Sequence, residues 1–204
     1  CLQFFNSTVT PSIMEFYPLV GVKRDVSSKP EQDLYALRGL LGVRYIMMPL
    51  DKTGAFEEEC GQWGYTRAFS DETFAFYKNE NALPMGFAYD AYVTMEELEK
   101  TEESKRGNVL VRAVALTDEQ AEKYGGLLRH LTDAERAGNS YEQYVQDAAA
   151  RRAMGVTRFE EDASGFEADI RLESSTLVFF SVPWDEGWSA TVNGQPVQVD
   201  KVSG

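Results

Sequence analysis

His130 is the only histidine of the chain, and most metal or nucleophilic chemistry would depend on it. A zinc site needs several His or Cys ligands at short spacing, and both cysteines, Cys1 and Cys60, lie far from His130 in the sequence. A Ser-His-Asp hydrolase would need the same histidine, and no G-x-S-x-G turn accompanies it. The sequence therefore predicts no metal site, no cofactor and no catalytic residue, and it predicts that His130 lies on the surface of a polar helix. The cysteines are predicted to be two unrelated thiols, with a single bridge between them as the alternative.

Acidic residues dominate the charge of the chain. It has 33 Asp and Glu against 20 Lys and Arg, a net charge of −13 at pH 7, which argues against nucleic-acid binding and against attachment to anionic lipids. The acidic runs Glu57–Glu59 and Glu160–Asp162 are typical of solvated loops and lack the spacing of a calcium loop. A glycosidase would need two carboxylates at a set separation, and the amino-acid composition does not show which carboxylates lie at that distance. A glycan, a lipid-linked sugar or a protein partner stays open.

A hairpin near the end of the sequence is the strongest local pattern. Leu177–Val182 is typical of a strand that is buried on both faces. Asn193-Gly194 predicts a type I′ turn, because both central residues of that turn need a positive φ. The register of a two-residue turn places Trp188 opposite Val199 on the apolar face of the hairpin, which predicts that Trp188 lies in the core.

Trp184 and Asp185, in the turn before that hairpin, are the candidate residues for contact with a ligand or a membrane-embedded partner. Trp184 follows the proline that ends a strand, so no alternation defines its direction. Its ring either folds over the edge of the sheet as a lid or faces a partner, with Asp185 available to bond to sugar hydroxyls. Trp63 and Tyr65 are predicted to pack a loop against the core, with an exposed sugar-stacking pair as the alternative.

The first 82 residues predict a small α/β segment. Apolar spacing and helix-end signals predict two helices, one opened by Thr10-Pro11 and ending near Leu19, and one from Pro30 to about Leu41. A buried strand is predicted at 43–48 and a second strand at 73–78, and the acidic stretch between them, 51–64, is predicted to be a loop.

Residues 83–204 predict an antiparallel β-sandwich-like domain with short inserted helices. The predicted strands are 84–93, 108–116, 166–172 and those of the hairpin. Four possible capping boxes begin at Thr94, Thr117, Thr132 and Ser140. They predict helices at about 94–104, 117–136 and 140–154. The fold class is therefore predicted as α+β, with one domain at 1–82 and another at 83–204.

Three stretches in order carry a resemblance to a known family: Ala36–Tyr45, Tyr77–Pro84 and the run FFSVPWDEGWSATVNG at 179–194. Together they resemble the extracytoplasmic domain of the YfhO-like family of bacterial membrane proteins. Members of that family are many-pass relatives of the GT-C-type glycosyltransferases that use lipid-linked sugars. The resemblance spans most of the 204 residues.

The resemblance implies an accessory extracytoplasmic domain of a polytopic membrane glycosyltransferase. Such an enzyme transfers a sugar from a polyprenyl-phosphate carrier to a cell-wall polymer of the teichoic or lipoteichoic acid class. The family's catalytic acids lie near its amino-terminal membrane helices, so the resemblance places no catalytic residue in this chain. The implied partners are the transmembrane part of the same polypeptide and a cell-wall glycan or lipid-linked sugar, at the outer face of the bacterial cell membrane. Two alternatives stay open, a secreted carbohydrate-binding β-sandwich module and a glycoside hydrolase domain.

Overall fold

The computed structural model describes residues 4–5, 11–23, 27–28, 30–31 and 33–203. The predicted helix cap at Thr10 and the thiol of Cys1 lie outside these residues. Cys60 is a buried free thiol at the end of a helix.

The described part of the chain contains eight α-helices and fourteen strands. The α-helices are α1 (Pro11–Leu19), α2 (Tyr35–Leu40), α3 (Thr53–Cys60), α4 (Met95–Lys100), α5 (Glu103–Arg112), α6 (Asp118–Tyr124), α7 (Asp133–Ala137) and α8 (Tyr141–Ala153). The strands are β1 (Phe4–Phe5), β2 (Ser27–Ser28), β3 (Tyr45–Pro49), β4 (Tyr65–Ser70), β5 (Phe74–Asn79), β6 (Gly86–Tyr89), β7 (Ala91–Thr94), β8 (Val114–Leu116), β9 (Arg129–His130), β10 (Arg158–Asp162), β11 (Gly165–Asp169), β12 (Leu177–Phe180), β13 (Ala190–Val192) and β14 (Gln195–Val197). This mixture of helices with several antiparallel pairs confirms the predicted α+β class.

A parallel three-stranded sheet, in the order β8-β7-β9, lies at the centre of the core. Each of its strands leads into a helix through a threonine cap, at Thr94, Thr117 and Thr132. All three form complete capping boxes, in which side chain and backbone exchange hydrogen bonds. The outer edge of β8 is joined by Ser203, whose N–H donates to the carbonyl oxygen of Ala115 at 3.0 Å. The predicted caps thus determine where each strand gives way to a helix.

The main core surrounds this sheet. It contains side chains from α1, α2, α5 and α8 together with the strands, among them Tyr17, Leu37, Val93, Leu110 and Tyr144. Burying such side chains stabilises the fold by about 1.5–3 kcal/mol each. The boundary near residue 82 between two domains stays a prediction.

A second, antiparallel sheet has the order β3-β5-β4. One face packs on α3 and forms a small separate cluster with Phe56, Cys60, Ala75 and Tyr77. The other face carries large apolar side chains that are exposed to solvent, including Tyr45. The predicted strand at 73–78 is confirmed as β5.

The remaining strands form antiparallel pairs. β6 pairs with β12, β10 with β11 and β13 with β14. Residue by residue, Ala190 lies opposite Val197, as the two-residue turn predicts. Asn193 and Gly194 both have positive φ, at 50° and 77°, which confirms the predicted hairpin turn.

The prediction of a strand over 108–116 is wrong. Its first half belongs to α5, and only Val114–Leu116 is a strand. The six residues from Gly107 to Arg112 are all buried, because α5 lies between α2 and α8. A helix that is enclosed on every side shows no polar face, so its sequence cannot be told from that of a buried strand.

Four further predictions need correction. The acidic segment 51–64 is mainly helical, since α3 occupies it. The strand at 43–48 is not buried, because Tyr45 and Met47 face solvent. α2 begins only at Tyr35, and His130 belongs to a strand and not to a helix. The exposure of Tyr45 and Met47 depends on what covers β3, which the sequence of the strand does not contain.

Candidate functional site

The candidate residues Trp184 and Asp185 lie in the turn between β12 and β13, on the surface of the protein. Asp185 closes this turn. Its Oδ1 accepts a hydrogen bond from the N–H of Gly187 at 2.8 Å, and its carbonyl oxygen accepts one from the N–H of Trp188 at 3.1 Å. The second carboxylate oxygen of Asp185 makes no hydrogen bond with the described residues. It is therefore available to a hydroxyl group of a partner.

Trp184 is 37% exposed, and its ring stacks on no aromatic side chain of the described residues. A large apolar ring in this position is available for contact with another molecule. The structure thus brings an exposed indole and a carboxylate together on one turn.

The prediction that Trp188 lies in the core is wrong, because Trp188 is also 37% exposed. Its indole N–H donates to the carbonyl oxygen of Pro183 at 3.2 Å, and its ring meets the edge of Phe166 with centroids 5.6 Å apart. Phe166 in turn packs on Phe159 and Phe180. Trp188 therefore covers the side of a small aromatic cluster at the surface.

The predicted register of the hairpin is confirmed for the pairs between residues 190–192 and 195–197, which do not include Trp188 and Val199. The predicted burial of Trp188 is wrong. Strand parity determines which side chains share a face, but it does not determine whether that face is covered. β13 and β14 form a sheet of two strands only, and its valine side chains are exposed. We call these side chains, together with the exposed tryptophans of the preceding turn, the hairpin surface. It consists of Trp184, Trp188, Val192, Val197 and Val199, each at least 37% exposed.

His130 lies in a polar network at the end of β9. Its ring stacks on Tyr92 with centroids 4.7 Å apart, and its Nε2 lies 2.8 Å from Oε2 of Glu97. Glu97 also accepts a hydrogen bond from the N–H of Thr94 and pairs with Arg136 at 3.0 Å. Burial acts to raise the pKa of Glu97, but these hydrogen bonds and the charge of Arg136 outweigh burial and lower it. The network fastens α4 to β9 and α7.

No group of His, Cys, Asp and Glu among the described residues could hold a metal ion. The acidic runs lie on α3 and β10, where their side chains are mostly exposed. On β10, Arg158 binds Glu160, Glu167 and Asp169. The acid catalyst of a glycosidase needs a raised pKa. Each described carboxyl group whose pKa departs from its ordinary value is shifted downward.

The predicted packing of Trp63 and Tyr65 is confirmed. Tyr65 is buried against Phe56, and Trp63 stacks on Tyr35 with centroids 4.6 Å apart. These rings hold the turn after α3 against the core, so this pair does not form an exposed platform for a sugar.

A family model described as bacterial membrane protein YfhO matches residues 2–136. Two of the three stretches that carried the resemblance, Ala36–Tyr45 and Tyr77–Pro84, lie inside that match. The hairpin stretch lies outside it. No curated protein and no solved structure matches the chain. Among the described residues, no helix has the length and apolar character needed to cross a membrane. The match covers well over half of the chain, which therefore belongs to the family of the bacterial membrane protein YfhO.

Proposed function

We propose that this chain is an accessory extracytoplasmic domain of a polytopic membrane glycosyltransferase. The parent enzyme transfers a sugar from a polyprenyl-phosphate carrier to a cell-wall polymer of the teichoic or lipoteichoic acid class. The chain itself supplies no catalytic residue, and it acts by holding the transmembrane part of the same polypeptide in place or by guiding the acceptor. Membership in a membrane-protein family supports the membrane context. The specific reaction rests on the general relation of that family to GT-C-type enzymes.

The hairpin surface is the observation that carries the accessory role. Five large apolar side chains are exposed there on a chain that carries a net charge of −13. Water-exposed apolar patches of this kind mark contact surfaces. Trp184 and Asp185 lie in the turn before the hairpin, and we assign them the contact with the transmembrane part or with the acceptor glycan.

Variants of the complete membrane protein test this assignment. Trp184→Ala and Asp185→Asn are expected to lower incorporation of sugar into the wall polymer, while the amount of protein in the membrane stays unchanged. Leu127→Ala is the matched control, since Leu127 is an apolar residue, 47% exposed, on a different segment. Full incorporation by both variants would remove Trp184 and Asp185 from the contact. If the complete, unchanged protein transfers no sugar to the polymer, the proposed reaction is wrong.

The side of the membrane is tested separately with Thr191→Cys, which places a thiol on the exposed strand β13. A membrane-impermeant maleimide is expected to label this variant in intact cells, and the unchanged protein serves as the background control. Labelling only after the cells are broken would contradict the extracytoplasmic location.

A carbohydrate-binding module is the second candidate, because the exposed Trp184 ring lies beside the free oxygen of Asp185. Aromatic rings beside hydrogen-bonding groups suit sugar recognition. Binding of wall glycan by the isolated chain, lost in Trp184→Ala, would favour this function. If Trp184→Ala lowers sugar transfer by the complete enzyme while the isolated chain binds no wall glycan, the accessory role is favoured.

A further inference from the structure

The antiparallel sheet β3-β5-β4 presents large apolar side chains to solvent on one of its two faces. Successive side chains of a strand point to opposite faces of its sheet. Ile46, Met48 and Tyr77 point towards α3 and belong to the small core there. The strand pairing brings the alternate side chains into rows on the opposite face. We call this face the open sheet face, and it consists of Tyr45, Met47, Pro49, Thr66, Phe69, Phe74, Phe76 and Lys78.

The middle row of the open sheet face is entirely apolar. Met47 on β3 and Phe69 on β4 lie on either side of Phe76 on β5. The rings of Phe69 and Phe76 stack with centroids 4.3 Å apart. Met47 and Phe69 are nevertheless both more than half exposed. Exposed apolar patches of this kind mark contact with another protein or with a membrane.

One end of the face is polar but carries no uncompensated positive charge. Tyr45, Lys78 and Thr66 form the row at this end. The Nζ of Lys78 binds Oε2 of Glu80 at 2.7 Å, and the hydroxyl of Thr66 donates to Oε1 of Glu80 at 2.8 Å. Since its single cation is already paired, this end does not select an anionic partner.

The other end of the face is closed by the turn Asp71–Thr73. Oδ1 of Asp71 accepts hydrogen bonds from the N–H groups of Phe74 and Thr73, both at 2.7 Å. These hydrogen bonds lower the pKa of Asp71, so that its carboxylate stays charged at neutral pH. The apolar middle row therefore lies between two polar ends. A face of this kind lies flat on a bilayer when its middle side chains reach the acyl chains and its ends stay among the headgroups.

The size of the face argues against a second copy of the chain as its partner. Three strands about 4.8 Å apart, each with about five residues spaced by about 3.3 Å, give a face of roughly 14 Å by 17 Å, or about 240 Å². A stable protein–protein interface buries about 800 Å² on each partner. A bilayer sets no such minimum for a domain that is held beside it, because a tether supplies a high effective concentration. The chain belongs to a family of membrane proteins, which provides this situation.

We propose that the open sheet face rests on a bilayer surface of zwitterionic lipids, with Met47, Phe69 and Phe76 entering the boundary between headgroups and acyl chains. Tyr45 suits the headgroup level, where tyrosine is enriched in membrane proteins. The net charge of −13 disfavours an anionic lipid surface. This inference rests on the membrane context and not on the proposed sugar transfer, and it concerns a surface other than the hairpin surface.

Photochemical labelling by lipids tests the proposal. A polyhistidine tail and a nickel-chelating lipid hold the purified chain on phosphatidylcholine vesicles and replace the tether. Phosphatidylcholine with a diazirine in its acyl chain is expected to label residues 45–49, 69–70 and 74–76, as mapped by mass spectrometry. Vesicles in which phosphatidylglycerol replaces part of the phosphatidylcholine are expected to give less labelling. Absence of label from these residues, label confined to the hairpin surface, or more label with phosphatidylglycerol would overturn the proposal.

Charged substitutions on the face sharpen the test. Phe69→Glu is expected to lower lipid labelling of β3 and β5 by about tenfold, the effect of losing one phenyl ring from an apolar environment. Tyr45→Glu changes the opposite edge strand and is expected to act in the same direction, so the test does not depend on a single variant. Leu127→Glu is the matched control, because Leu127 is an exposed apolar residue on a different segment. With amide spectra that show the variants to be folded, unchanged labelling in both Phe69→Glu and Tyr45→Glu would refute the role of this face.

Sedimentation of the chain without lipid tests the alternative partner. The unchanged chain is expected to sediment as a monomer. A dimer that forms with rising concentration and is lost in Phe69→Glu would assign the face to a second copy and overturn the lipid contact. Neither experiment involves sugar transfer, so the lipid contact and the proposed reaction can fail independently of each other.

Discussion

The chain builds two sheets of three strands each, and they differ in what covers their faces. In the parallel sheet, Val93 and Leu116 are fully buried, at 0% exposure. In the antiparallel sheet, Tyr45, Met47 and Phe69 are 54%, 56% and 57% exposed. Apolar residues are plentiful in both sheets, so composition does not explain the difference.

The connections between the strands explain it. Parallel strands need long crossovers, and here α4, α5 and α6 provide them and pack on the sheet. The antiparallel strands β4 and β5 are joined by a short turn at Asp71–Thr73, which brings no helix with it. Among the described elements, α3 and the turn after it cover one face of that sheet. The open face, where Phe69 stacks on Phe76 at 4.3 Å, is thus a consequence of topology.

The largest expected effect concerns the crossover between β7 and β8. Arg112 at the end of α5 forms a nearly buried pair with Asp147, with side-chain exposures of 10% and 11%. Arg112→Ala is expected to lower the free energy of unfolding by about 3–5 kcal/mol, since it leaves Asp147 unpaired. Urea unfolding measures this loss, and the double variant with Asp147→Ala is expected to lose less than the sum of the two single variants. A strictly additive double variant would show that the pair is not coupled.

A matched pair of substitutions tests the two sheets directly. Leu116→Ala removes a fully buried side chain from β8, with an expected loss of about 2–5 kcal/mol. Met47→Ala removes an exposed side chain from β3, and such surface changes usually stay within about 0.5 kcal/mol. Urea unfolding of both variants under the same conditions measures the contrast. Similar losses would mean that the open face of the antiparallel sheet is covered in solution.

Substitutions on the hairpin surface are expected to change the free energy of unfolding by amounts between those for Leu116→Ala and Met47→Ala. Trp188→Ala loses the edge contact with Phe166 and the hydrogen bond to Pro183, and we expect a loss of about 1–2 kcal/mol, below the value for a fully buried aromatic. Trp184→Ala loses no described contact of this kind and is expected to cost about 0.5 kcal/mol or less. Thermal unfolding of the two variants ranks them. A larger loss for Trp184→Ala would show that its ring has structural cover.

Short sequence motifs were sufficient to predict where three helices begin and where the last hairpin turns. Thr94, Thr117 and Thr132 cap helices as predicted, because a capping box involves only residues within one turn of each other. Asn193-Gly194 forms the predicted turn for the same reason. The family resemblance also rests on local stretches, two of which lie inside the matched region.

Burial and long-range contacts could not be predicted in this way. Parity predicts that Trp188 shares an apolar face with Val199, but nothing in the hairpin's own sequence states whether another element covers that face. The segments that follow β7 and β9, near Lys105 and Asn139, are about thirty residues apart in the sequence and line one groove. They meet only because β7 and β9 are neighbours in the sheet, and that order depends on the complete topology.

The smallest expected effect is a change in how thermal stability depends on pH, and it is caused by Glu135 in the helix that follows β9. Hydrogen bonds from the N–H and hydroxyl of Thr132, together with the charge of Arg129, lower the pKa of Glu135 to about 2. Glu135 binds protons more weakly in the folded than in the unfolded chain. Its contribution to stability is therefore fully present above the unfolded pKa of about 4.3 and is lost as the pH falls toward 2.

Glu135→Gln is expected to lower the midpoint of thermal unfolding at pH 7. The midpoint of this variant is also expected to decline less between pH 4 and pH 2 than that of the unchanged chain. Glu72→Gln is the control on the antiparallel sheet, since Glu72 is an exposed residue in the turn before β5 without a described partner. It should leave that decline unchanged, and an equally steep decline in Glu135→Gln would show that other carboxylates determine the acid sensitivity.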